Sequence, residues 1–190
     1  MSLGFVREFL RSPASVGAIW PSSPALARMM VRASGVPTAS RVLELGPGSG
    51  AFTGEILNSL GSGSRFISIE KSPELARTVA AKFPAARVIE GCATRLTVHL
   101  EEEAFGRPDA ILSGLPWAAF DDGLQAAILD QILASLDDHA VFSTFAYFGP
   151  HWLKAGRAFR KRLEASFRDV RRTEVVLANI PPAFVYYCRR

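Results

Sequence analysis

The residues best equipped for chemistry lie in one run, Val42-Leu43-Glu44-Leu45-Gly46-Pro47-Gly48-Ser49-Gly50, where three glycines alternate with other residues and Glu44 stands just ahead of them. Glycines at 46, 48 and 50 let the backbone turn sharply and approach a ligand closely. A helix opening near Ala51 would present unpaired N–H groups to the same ligand. The spacing is G-x-G-x-G, not the G-x-G-x-x-G of dinucleotide-binding turns, and the acid precedes it. That combination suits a ligand with a cationic amino-acid tail and no pyrophosphate, with Glu44 neutralising the cation directly or through water. Glu70 closes the next β-type run, where a doubly wound sheet sets a carboxylate against a ribose. A plainer reading is a glycine-rich turn with two surface acids, but it leaves the register of strand, turn, helix and second acid unexplained.

Such a site has to be held by strands and helices in alternation. Runs at Arg41–Leu45, Arg65–Glu70, Arg87–Glu90, 109–113 and 140–146 read as strands, and apolar residues at three- and four-residue spacing mark helices between them. Phe52, Ile56, Leu57 and Leu60 mark one. Leu75, Val79 and Phe83 mark the next, with Ser72 as N-cap and Pro73 in the first turn. Leu124, Ile128, Leu129, Ile132 and Leu136 mark a third, opened by Asp121 or Asp122. Runs at 171–177 and 183–188 are joined too closely for a parallel crossover and read as an antiparallel hairpin. The pattern is that of an α/β sheet with helices on both faces.

Bulk properties narrow the field. A chain of 190 residues suits one domain with a full core, taken as 1–190, with a helical extension over 1–35. A composition 48% hydrophobic and 21% charged excludes disorder, and a net charge of +4 leans toward anionic partners. These are phospholipid headgroups, an anionic membrane surface, nucleic acid or phosphorylated substrates. Cys92 and Cys188 match no metal-ligand spacing, and His99 and His139 are expected on the surface. The beginning of the chain does not read as a signal peptide. The longest apolar stretch falls short of the roughly 20 residues that cross a bilayer. The expected location is cytoplasmic, with peripheral contact to membranes.

Five parallel strands closed by a hairpin resemble the Rossmann-like, seven-stranded sheet of the class I methyltransferases. That resemblance implies S-adenosylmethionine as cofactor and no metal. It places Glu44, Gly46, Gly48, Gly50 and Glu70 around the cofactor, Cys92 and Ala93 at the adenine, and Ser113 at the end of the fourth strand. In many of these enzymes an acid meets the adenine amino group where this chain has Cys92. The run Ser113-Gly114-Leu115-Pro116-Trp117 stands where adenine-N6 enzymes carry N-P-P-Y or N-L-P-Y, with Gly114 in place of the Asn. It resembles instead the bacterial phospholipid N-methyltransferases, which methylate phosphatidylethanolamine toward phosphatidylcholine and look distantly like ribosomal RNA adenine dimethylases. Gly17-Ala18-Ile19-Trp20-Pro21-Ser22-Ser23-Pro24-Ala25-Leu26-Ala27, Tyr147-Phe148-Gly149-Pro150 and Asn179-Ile180-Pro181-Pro182-Ala183-Phe184-Val185 extend the likeness over nearly the whole chain. Trp117 departs from that family, in which an aliphatic residue is usual.

The resemblance makes Tyr147, Ser113 and His151 the candidates to orient an amine or relay its proton. Trp20, Leu115 and Trp117 become candidates to meet the substrate, the tryptophans and Tyr147 through their ring faces. Tyr147 can equally be a packed aromatic and His151 a surface residue. Leu3, Phe5, Val6, Phe9 and Leu10 fill one arc of a helical wheel, and Arg7, Glu8 and Arg11 the other. Such a helix either lies in a membrane interface or packs on the core. The stretch 154–172 is rich in Lys and Arg, suited to anionic lipid, to RNA or merely to solvent. Three functions compete: a phospholipid N-methyltransferase, an RNA adenine-N6 methyltransferase, and a non-catalytic binder on the same fold. The intact glycine turn and its two acids speak against the third.

Overall fold

The computed structural model describes residues 22–190, and the strands expected from the sequence are present in it. They are β1 (Arg41–Leu45), β2 (Arg65–Glu70), β3 (Arg87–Glu90), β4 (Ala110–Ser113), β5 (Val141–Tyr147), β6 (Asp169–Arg172) and β7 (Ala183–Arg189). The helices are α1 (Pro24–Ala33), α2 (Thr53–Ser59), α3 (Pro73–Lys82), α4 (Leu96–Glu102), α5 (Asp122–Ser135) and α6 (Lys154–Ser166). The sheet order is β3-β2-β1-β4-β5-β7-β6. Strands β1 to β5 run parallel, and β7 lies antiparallel between β5 and β6. The order reverses between β1 and β4, the switch point where open α/β sheets bind ligands beyond the carboxyl ends of their strands.

Central strands are apolar on both faces because both are covered. Under α1 and α2 lie Leu26, Met30, Val42, Ile56, Leu112 and Val185. Under α4, α5 and α6 lie Leu43, Leu45, Ile111, Ile132, Phe142 and Leu163. Side chains alternate across a strand, so each position's layer is fixed by its neighbours. Glu44 falls with Val42 on the α1–α2 face, and Phe145 and Tyr147 pack there too. Ser113 falls with Ile111 on the α4–α6 face.

Helix starts follow their caps. The hydroxyls of Ser23 and Ser72 accept the Leu26 and Leu75 N–H groups, each ahead of a proline in the first turn. Of the two aspartates that could open α5, Asp121 does so by accepting the Leu124 N–H at 2.8 Å. Helix α4, between the third and fourth strands, has no counterpart in the periodicity read from the sequence.

One strand differs from expectation. In place of 171–177, β6 covers Asp169–Arg172, followed only by an isolated bridge from Val176 to Ala183. The cause lies at Thr173, whose N–H donates to the Val185 carbonyl while its hydroxyl accepts the Val185 N–H. Between the Arg172–Tyr186 pair and the Val176–Ala183 bridge the chain takes one more residue than β7 does, a bulge that ends regular pairing. Asp121→Ala should lower stability by about 1 kcal/mol, read as a lower urea midpoint at unchanged slope.

Candidate active site

The turn after β1 is drawn against β2 on one side and the turn after β4 on the other. The Gly46 N–H donates to the Ile69 carbonyl of β2, and the Gly50 N–H to Pro47 within the turn. Gly46, Gly48 and Gly50 all have φ between 55° and 79°, the left-handed region that favours glycine. Space is as restrictive as φ. A Cβ on Gly46 would lie 2.7 Å from Leu115 Cδ2, and one on Gly114 would lie 2.5 Å from the Gly46 carbonyl oxygen. The turns after β1 and β4 therefore touch backbone to backbone, with Leu115 laid over Gly46.

Two carboxylates brace this turn. Glu44 is fully buried, and its Oε2 accepts the hydroxyls of Thr53 at 2.8 Å and Ser68 at 3.0 Å. Its Oε1 has no partner. Burial pushes the Glu44 carboxyl up to about 7, against the pull of the Thr53 and Ser68 hydroxyls and with help from the nearby Glu70 charge. Glu70 accepts the Gly48 N–H at 3.1 Å on Oε2 and the Ser72 N–H at 2.9 Å on Oε1. A carboxylate oxygen has a second lone pair, so ligand hydroxyls can still be accepted there. The acceptors this turn leaves unfilled are thus Glu44 Oε1 and the second lone pairs of the Glu70 carboxylate.

Beyond β3, Cys92 is partly exposed and Ala93 buried at the start of a 3-10 turn. Burial pushes the Cys92 thiol up, but the Thr94 hydroxyl and N–H and the Lys71 charge outweigh it and leave it below its usual value. The Thr94 hydroxyl donates to Cys92 Sγ at 3.1 Å. His99, expected on the surface, is instead buried against Gly91, with no hydrogen-bond partner on either ring nitrogen. It points inward because α4 places it beside Leu96 and Leu100. His139 is exposed.

The three catalytic candidates do not converge. Tyr147 lies half-buried on the α1–α2 face, its ring edge-on to Phe145 at 5.4 Å. Phe145 in turn packs on Phe52 at 5.6 Å. A Cβ on Gly114 would come within 3.7 Å of the Phe52 ring, so an aromatic row runs from the two glycine turns to Tyr147. Burial raises the Tyr147 phenol above its usual value, which keeps it protonated at neutral pH. Ser113 lies on the opposite face, and its hydroxyl oxygen accepts the Trp117 indole N–H at 3.0 Å.

His151 is also on that opposite face, packed on Phe184 at 4.9 Å. It is buried, not on the surface, because the Gly149 N–H donates to Nδ1 and Phe148 and Trp152 cover the ring. Burial lowers its imidazole pKa, opposed by a Tyr147 backbone hydrogen bond and aided by Arg172 and Arg160.

Trp117 is a correction. It was expected to meet substrate or membrane, yet it is 2% exposed, stacked on Phe159 at 5.1 Å and edge-on to Phe142. An indole with its N–H satisfied inside an aromatic cluster is core. Leu115 is half-buried over Gly46. Phe5, Arg7, Phe9, Arg11 and Trp20 lie outside the described residues. Thr53 and Ser68 were missed, although Ser68 stands opposite Glu44 in the β1–β2 register and two residues before Glu70 on the same face. Among the described residues, no group of His, Cys, Asp and Glu could hold a metal ion, and no helix is long and apolar enough to cross a membrane.

Because the folded protein holds a proton on Glu44 up to about pH 7 and the unfolded chain releases it near 4.5, stability should fall as pH rises between these values. The full loss is about 3 kcal/mol. Urea unfolding across pH 4.5–8 should show this slope, and Glu44→Gln should flatten it. An unchanged slope in the variant would assign it elsewhere.

No protein-family model matches the chain. It is 28% identical over 188 residues to an ornithine lipid N-methyltransferase of Singulisphaera acidiphila, spanning 97% of this chain and 94% of that protein. A ribosomal RNA small subunit methyltransferase A of Chlorobaculum parvum is 40% identical over 91 residues, spanning 48% of this chain and only 31% of that protein. An O-methyltransferase from Bacillus cereus, solved in complex with SAH, superposes with a TM-score of 0.73 at 16% identity over 100% of this chain and 92% of that one. The chain thus has the fold of the class I S-adenosylmethionine-dependent methyltransferases, and the relatives it resembles in sequence are methyltransferases.

Proposed function

We propose that the protein methylates the amine of a membrane lipid headgroup, with phosphatidylethanolamine and its methylated intermediates as the substrates favoured by the Ser113-Gly114-Leu115-Pro116 pattern. The observation that carries this reading is Gly114. Adenine-N6 enzymes use an Asn amide here, and this chain has no side chain and no room for one, since a Cβ already meets the Gly46 carbonyl. An amine attached to a flexible headgroup needs no such clamp on a purine edge. The sequence likeness supports the same choice: the lipid-methylating relative matches over 97% of this chain, and the RNA-methylating one over 48% of it. Ornithine lipid also presents a primary amine, so both lipids are to be tried.

S-adenosylmethionine in the cradle supplies a methyl group on a sulfonium, open to in-line attack by a neutral amine. What the chain must do is bring that amine up without its proton. The aromatic row Phe52, Phe145 and Tyr147 makes the approach apolar, and desolvation disfavours the ammonium form. The proton is shed to water as the amine enters. Tyr147, held as a phenol, orients the amine by accepting or donating a hydrogen bond and does not serve as base. The backbone of the turn after β4 supplies the remaining polar groups, and the neutral His151 behind Phe184 does not reach across the sheet.

Incubation with methyl-labelled cofactor and mixed micelles of either lipid, or with ribosomal RNA, should label lipid and leave RNA unlabelled. Label in RNA alone would overturn the reading. Tyr147→Phe should lower kcat about tenfold, near the 1.4 kcal/mol of one positioning hydrogen bond, with S-adenosylhomocysteine affinity unchanged. Full activity in that variant would make Tyr147 a packing residue only.

A further inference from the structure

Among the described residues the large apolar side chains left exposed are Phe148, Trp152, Leu153, Leu177 and Ile180, between 39% and 76% exposed. All five belong to two loops that meet. Tyr147 pairs with Ala183 at the ends of β5 and β7, the Phe148 N–H donates to the Pro182 carbonyl at 2.7 Å, and Val176 bridges to Ala183. Phe148 and Trp152 are edge-on at 5.1 Å. The crest they form stands at the carboxyl end of β5, the end of the sheet that carries the glycine turn, Glu70 and Tyr147.

The helix that follows is built against its own stability. Leu153 occupies the N-cap position of α6 with no side-chain cap, and no acid stands in the first turn. Lys154 and Arg157 are exposed there, cations at the positive end of the helix dipole beside amide groups that lack partners. Lys154, Arg157 and Lys161 take part in no ion pair among the described residues, whereas Arg160 and Arg162 do. Glu174 is the sole carboxylate in the two loops, residues 148–153 and 173–182.

Each of these features is unfavourable in water and favourable at an anionic bilayer. Apolar side chains enter the interface, and headgroup phosphates answer both the amides and the unpaired cations. Nucleic acid would meet the cations but leave the five apolar side chains in water. We propose that residues 148–153 and 177–180 dock on an anionic bilayer, setting the mouth of the site against the lipid. The proposal deepens the lipid reading and rests on it.

Co-sedimentation with vesicles of phosphatidylcholine, with and without phosphatidylglycerol, tests it on the full chain. The double variant Trp152→Ser/Ile180→Ser should bind vesicles at least tenfold more weakly while keeping wild-type affinity for S-adenosylhomocysteine and wild-type methylation of lipid in detergent micelles. Lys154→Ala/Arg157→Ala should lose several-fold affinity for anionic vesicles only, and added salt should abolish that difference. If the folded Trp152→Ser/Ile180→Ser variant binds vesicles as the wild type does, the crest is not the docking face, even where micellar lipid is still methylated. If the wild type methylates no lipid in either form, it is the lipid reading that falls.

Discussion

Glu44 sits where β1 ends and the glycine turn begins, sealed from solvent and one oxygen short of a full set of partners. Its other oxygen gathers a hydroxyl from α2 and a hydroxyl from β2. One carboxyl group thus ties strand, neighbouring strand and following helix around the turn. An unpaired polar atom in such a place is expensive. Glu70 works from the rim in the opposite way. Its carboxylate is anchored on two backbone N–H groups and still has lone pairs to offer. The deeper acid keeps one oxygen without a partner, and the other has both oxygens engaged by backbone N–H groups.

The sheet itself sorts the remaining polar groups. Alternation along β4 and β5 sends Ser113 toward Trp117 and Tyr147 toward Phe145, on opposite faces. A relay linking Ser113, His151 and Tyr147 would need side chains to pass through the strands. What lies on the same face as Glu44 is a row of packed rings, Phe52, Phe145 and Tyr147, with one phenol.

Much of this was legible in the chain. The turn of 46–50, the acids on either side, the positions of the first five strands and the cap at Ser72 are local matters, decided by residues close in sequence, and Asp121 was one of two caps the chain offered for α5. The burial of Trp117, His99 and His151 was not legible, because each is settled by partners far along the chain: Phe159 for Trp117, Phe184 for His151, and Gly91, which leaves room for His99. The end of β6 was lost for a similar reason. Thr173 is an ordinary strand residue until Val185 takes its hydroxyl. Ser68 could have been found by laying the first two strands side by side, since it stands opposite Glu44.

The contact between Gly46 and Gly114 also limits how the site can be altered. No side chain can be introduced at 114 alone in this backbone, because its Cβ would strike the Gly46 carbonyl. The turn after β1 would have to retreat first, and it is tied to Ile69 of β2 and, through Gly48, to Glu70. A side chain at 114 therefore calls for coupled changes in two turns and in the strand beside them, not for one substitution.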